Sequence, residues 1–158
     1  MAERYSTGLV DALNITGSFK SLMDGGEIRG FTGTQPDNAD LAESGTHLIT
    51  ITVDGAAHSA GSMTNGLTLA ATSAGGVIEK NASETWKGYG LPAAGTGMQI
   101  GYFRWYDKNV VTGASSTSRR VDFAAGTSSS FEAVLGNLIV SEGGPITVNT
   151  FRFTARKQ

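Results

Sequence analysis

From Glu27 onward the chain alternates apolar and polar positions with a period of two. Eight stretches carry the pattern: EIRGFTG (27–33), HLITITV (47–53), LTLAA (67–71), GVIEK (76–80), MQIGYFRWYD (98–107), RRVDFAA (119–125), NLIV (137–140) and TVNTFRFTA (147–155). In HLITITV, Ile49, Ile51 and Val53 face one way, and Thr50 and Thr52 the other. In TVNTFRFTA, Phe151 and Phe153 oppose Thr150 and Arg152. Such alternation gives each strand one buried and one wetter face. Before Glu27 the period is helical. Leu9, Val10 and Leu13 follow the capping residues Ser6 and Thr7, and Phe19, Leu22 and Met23 follow Ser18 and precede Gly25. Helices this short are not stable alone, so they dock on the end of a sheet or reach out to a partner; docking is the simpler expectation. Glycine- and serine-rich connectors (SAGSMTNG, LPAAGTG, TGASSTS, AGTSSS) separate the strands. The predicted fold is all-β, an antiparallel β-sandwich or jelly roll over 27–158 with a short helical N-terminal arm over 1–26.

Composition sharpens this picture. The 158 residues suit one domain with a real core. The 22 glycines favour turns and close backbone approaches over long helices. A net charge of -2 leaves no basic footprint for nucleic acid. No apolar run is long enough to span a bilayer, and MAERYSTGLVDALN lacks a basic region followed by an apolar one, so neither membrane nor signal peptide is expected. With no cysteine there is no disulfide framework, thiol nucleophile or Cys-based zinc site. The chain reads as made and used in a reducing cytoplasm, where the triplets at Asn14 and Asn81 carry no glycosylation meaning.

Candidate chemistry is thin. His58-Ser59 in AHSAG resembles a loosened nucleophile elbow, but the only histidines are His47 and His58, and none follows Ser59 to complete a triad. GYGLPA (88–93) fits a relaxed dinucleotide fingerprint, yet Pro92 opens no helix and no βαβ unit surrounds it. GSFKS (17–21) lacks the glycine that a phosphate loop places before lysine. Asp37, Asp40 and Glu43 crowd one short connector. Position 39 is alanine and no glycine closes the loop, which breaks the calcium-loop register, so an irregular oxygen-ligand calcium site is the minor reading. The structural alternative has Pro36 setting a turn and Asp37 or Asn38 capping a short turn from Ala39. No cofactor or metal is expected. Trp86, Tyr89, Tyr102, Trp105 and Tyr106 fall close together and read as core or subunit-interface aromatics, with Arg104 stacked on a ring or paired with Asp107.

Four stretches together resemble a known group of proteins: STGLVDALN, GSFKSLMDGGEIRGFTGTQPDNADLAESGTHLITIT, GGVIEKNASETWKGYGLPAAGTGMQIGYFRWYD and the closing PITVNTFRFTA. They look like small virion proteins encoded near the head genes of tailed bacteriophages. That group often shares an S-T-G-L start, an acidic G-T-Q-P-x-x-A-D connector and a K-N-A-x-x-T-W segment before an F-R-x-Y strand. The segment RRVDFAAGTSSSFEAVLGNLIV departs from it in charge and bulk. The resemblance implies a non-enzymatic capsid decoration (cement) protein with a jelly-roll-like fold. It implies a homodimer or homotrimer bound to the major capsid protein on the outer face of the head, assembled in the host cytoplasm. Candidate contacts are Tyr5, Leu9, Val10, Leu13, Pro36, Asp37 and Asp40.

A minor head or tail (baseplate or fibre) component is the nearest rival. Two other classes stand against it. A carbohydrate-binding β-sandwich on the virion surface would expose Trp86, Tyr89 or Trp105 as a stacking platform. A hydrolase would need a cleft with two carboxylates from Asp37, Asp40, Glu79 or Glu84 at a working separation.

Overall fold

The computed structural model describes residues 3–128 and 132–154. Its elements in chain order are β1 (Arg4–Tyr5), α1 (Thr7–Ile15), α2 (Phe19–Met23), β2 (Glu27–Phe31), β3 (His47–Val53), β4 (Val77–Glu79) and β5 (Trp86–Gly90). A 3-10 turn (Pro92–Ala94) follows, then β6 (Met98–Gln99), β7 (Tyr102–Tyr106), β8 (Arg120–Phe123), β9 (Ala125–Gly126), β10 (Ala133–Leu135), β11 (Ile139–Val140) and β12 (Pro145–Thr154). The protein is all-β with a small helical contribution.

One large sheet runs in the order β1-β8-β7-β2-β3-β5-β12-β10-β9, with β4 also on β12, and β6 and β11 pair separately. Pairing is antiparallel except between β9 and β10, so the sheet is mixed. Only Ala124 separates β8 from β9. The segment 120–126 therefore stands at one end of the sheet with its first half and at the other end with its second. The sheet thus curls round until its ends meet. Laid flat, β8 and β12 would be about 24 Å apart, five steps of about 4.8 Å. Instead the rings of Phe123 and Phe151 lie 5.4 Å apart, edge to face.

The inside of the curl is the core. Register sets Ile28 beside Trp105 and Ile51, and Val53 beside Trp86. Trp86, Trp105 and Phe151 pack mutually, with centroids 5.0–5.5 Å apart. Both helices start where the sequence places them: Ser6 Oγ accepts from Leu9 N–H, and Ser18 Oγ from Ser21 N–H. Both dock. Leu9, Ala12, Phe19, Leu22 and Met23 are buried in this same core.

Several strand expectations change. The stretch 98–107 is two strands in different sheets, because Gly101 passes so close to Gly33 that a Cβ would sit 1.8 Å from the Gly33 carbonyl oxygen. Residues 67–71 make isolated bridges through Leu67 and Leu69 rather than a strand. β1, β5 and β10 form outside the eight alternating stretches. Ala155, the end of the expected last strand, and Ser129 and Ser130 of one connector lie outside the described residues.

Candidate functional site

The outer face of β8, β7 and β2 carries the unusual chemistry. Register lines up Arg4, Asp122, Arg104 and Arg29 in a row across four strands. A row of charges on an outer face normally meets water. Here Arg104, Arg120 and Asp122 are fully buried, because the 33–46 connector and the loop after β7 lie over them.

The two arginines hold that cover from beneath. Arg104 forks onto Asp122, Nε to Oδ1 at 2.5 Å and Nη2 to Oδ2 at 2.8 Å. Its Nη1 donates to the Leu41 carbonyl at 2.9 Å and lies 3.3 Å from Glu43 Oε1. Arg120 donates to the carbonyls of Asp40, Val111, Gly113 and Ser115. Glu43 accepts from the Tyr106 hydroxyl at 2.5 Å and from Gly113 N–H at 2.9 Å. Two cations, Arg104 and Arg120, thus face two anions, Asp122 and Glu43. A buried guanidinium is tolerated only with such paired and hydrogen-bonded neighbours.

The electrostatics follow from burial and pairing. Burial works against ionisation of Glu43, but hydrogen bonds from Tyr106 and Gly113 and the Arg104 charge outweigh it, holding its carboxyl below the ordinary value. Burial pushes the Asp122 carboxyl up against the pull of Arg104. Burial also opposes the Arg104 charge, yet Asp122 more than restores it and the guanidinium stays protonated. Burial and the bond to Glu43 push the Tyr106 hydroxyl well up.

This cluster corrects one expectation and bears out another, the capped turn of the connector. Arg104 pairs with Asp122 and Glu43, not with Asp107, whose carboxylate faces Arg119 at 3.9 Å. Side chains three apart on a strand face opposite ways, while residues in register on neighbouring strands share a face. Among the connector carboxylates, Asp40 accepts from Thr7 N–H at 2.8 Å and from its hydroxyl at 2.6 Å, tying the start of α1 down. Asn38 Oδ1 caps the short turn by accepting from Asp40 N–H. Arg4 donates to the carbonyls of Gln35 and Pro36 and lies 3.6 Å from Asp37, whose side chain is 95% exposed. Among the described residues no group of His, Asp and Glu is placed to hold a metal ion.

The other predicted residues divide by burial. Trp86, Tyr102, Trp105 and Tyr106 are inside, and Tyr89 alone of the five aromatics is exposed. Trp86 and Trp105 therefore offer no stacking platform. Of the expected contacts, Leu9 is wholly buried and packs inward, a correction. Tyr5 and Leu13 are half-buried against the core, whereas Val10 is exposed. Arg120, Asp122 and Gly113 were missed, since only the β7–β8 register brings them under the connector.

Comparison with protein-family models, with curated proteins and with solved structures finds no match to this chain.

Proposed function

We propose that this is a bacteriophage virion structural protein, a capsid decoration (cement) protein on the outer face of the assembled head. One observation carries the reading. Stretches that bear the sequence resemblance, distant along the chain, are fastened together: α1 to the connector through Thr7–Asp40, and the connector to β7 through Leu41–Arg104 and Glu43–Tyr106. A motif set that builds one stiff surface suits a protein whose work is to present a contact face.

On α1 and the connector, Val10, Ile15 and Leu41 are exposed, as is the carboxylate of Asp37. The partners on this reading are the major capsid protein and further copies of the chain, as a homodimer or homotrimer. Repetition over a symmetric shell multiplies a weak contact into firm attachment. The reading carries with it a jelly-roll-like layering, supported by the Phe123–Phe151 contact between opposite parts of the sheet. Neither catalysis nor a cofactor enters it.

The test mixes purified protein with undecorated expanded heads and measures occupancy by sedimentation and imaging. The double substitution Val10→Asp with Leu41→Asp leaves the core untouched and is expected to cut occupancy at least tenfold, about 1.4 kcal/mol per site. Wild-type protein that never travels with heads refutes the proposal, and sedimentation with tails alone moves the assignment to a tail component.

A further inference from the structure

Beside the buried ion cluster, on the same outer face, a depression of about 340 Å³ opens between β2, β3, β5 and the turn after β3. Glu27, Arg29, Thr50, Thr52, His58 and Tyr89 supply its polar lining, and the 55–57 turn its small apolar floor. Three features mark it as more than surface relief. Glu27 is only 4% exposed and already holds Arg29, Nε to Oε1 at 2.6 Å. Arg29 is fixed from behind by the Tyr106 ring, 5.2 Å from its guanidinium carbon, and no hydrogen bond engages its terminal nitrogens among the described residues. The His58 side chain is wholly buried, yet its Nδ1 has no hydrogen-bond partner and stands 3.4 Å from Glu27 Oε2. A buried polar atom left unsatisfied calls for a ligand group or water.

The chemistry of these groups narrows the occupant. The Arg29 charge is already balanced by Glu27, whose buried carboxylate also repels anions that approach the depression, so an acidic ligand is disfavoured. What remains is a set of donors and acceptors beside small apolar surfaces and a half-exposed tyrosine. Hydroxyls on adjacent carbons can use the Arg29 nitrogens and Glu27 together, while C–H groups rest on Ala56, Ala57 and the part of Tyr89 that Lys87 and Gly55 leave open. The volume lies at the small end for ligand sites, about 300–1,000 Å³, and suits a terminal sugar. We propose that this depression binds a neutral saccharide, such as the exposed end of a cell-surface glycan. This site is separate from Trp86 and Trp105 and does not depend on attachment to heads.

The experiment titrates the isolated protein with maltotetraose, chitotetraose, lactose and 3′-sialyllactose, following backbone amide signals. At least one neutral sugar is expected to shift Gly55, Ala57 and Tyr89 saturably. Ala57→Trp fills the depression from an exposed position and is expected to abolish binding. Tyr89→Ala is expected to weaken it about tenfold. Both variants should keep the wild-type unfolding temperature, which separates lost binding from lost fold. No saturable shift with any neutral sugar up to about 10 mM, a preference for the sialylated one, or binding that survives Ala57→Trp each overturns the proposal.

Discussion

Neutralising Asp122 should be among the most damaging conservative changes in this protein. Asp122 and Arg104 are both wholly buried and joined by two hydrogen bonds. In Asp122→Asn the shape is kept but the anion is lost, leaving Glu43 alone against Arg104 and Arg120. Arg104 cannot shed its proton, and Glu43 sits nearer the surface with a side chain 14% exposed. Breaking a buried pair by removing one partner costs about 3–5 kcal/mol. For a chain of this size each kcal/mol moves the unfolding midpoint by about 2–4 °C, so a fall of about 6–20 °C is expected. Scanning calorimetry together with urea unfolding reads both quantities. Replacing both partners, Arg104→Met with Asp122→Leu, removes the stranded charge and leaves Arg120 balanced by Glu43. That double variant should regain part of the loss, short of the charged hydrogen bond to the Leu41 carbonyl, worth about 1.5–3 kcal/mol. The reasoning fails if Asp122→Asn stays within about 1 kcal/mol of wild type, or if the double variant is worse than the single one.

The same architecture makes further expectations. Because the folded-state value of Glu43 is depressed, its contribution to stability is present above its ordinary value of 4.5 and is lost as pH falls through the folded value; Glu43→Gln should flatten the acid limb of a stability–pH curve measured by urea unfolding. Asp40→Ala removes the acceptor for Thr7 N–H and hydroxyl and should cost about 1 kcal/mol, read as a modest drop in thermal midpoint and faster amide exchange at the start of α1. Gly101→Ala drives a Cβ into the Gly33 carbonyl, backbone against backbone, and should destabilise by about 1–3 kcal/mol with exchange quickening around 31–33. Trp86 and Trp105 are both 0% exposed, so native tryptophan emission should be blue-shifted and resist acrylamide, and ready quenching would contradict the packing around Phe151.

Some elements were legible in the pattern alone. HLITITV alternates in sequence from Ile49 to Val53 and is β3, although Thr52 is buried as well, and Ser6 and Ser18 cap the helices they precede. β5 was not legible. Its sequence WKGYG puts Gly88 and Gly90 on the inward face, where Cβ atoms would fall about 2 Å from the carbonyl oxygens of Thr50 and Ser141, so the apolar half of the alternation is missing although the strand is central. The break within 98–107 was hidden for a similar reason: aromatic density reads as continuous strand, and the close approach of Gly33 to Gly101 has no local signature. The candidate site was half visible. Asp37, Asp40 and Glu43 stood out as a cluster, and Arg104 as a charge among aromatics, but what they bind lies up to 80 residues away in the chain.

The sequence by itself determined the all-β class, the helical start, the capped character of the connector and the inward side of the most regular strands. These follow from periodicity and capping, which act over a few residues. Only the tertiary structure decided that the sheet closes through 120–126, that an outer row of charges is buried, and that Arg104 and Arg120 clamp the acidic connector. Closure and burial depend on strand register, and register is set by the sum of many long-range contacts that no local stretch encodes.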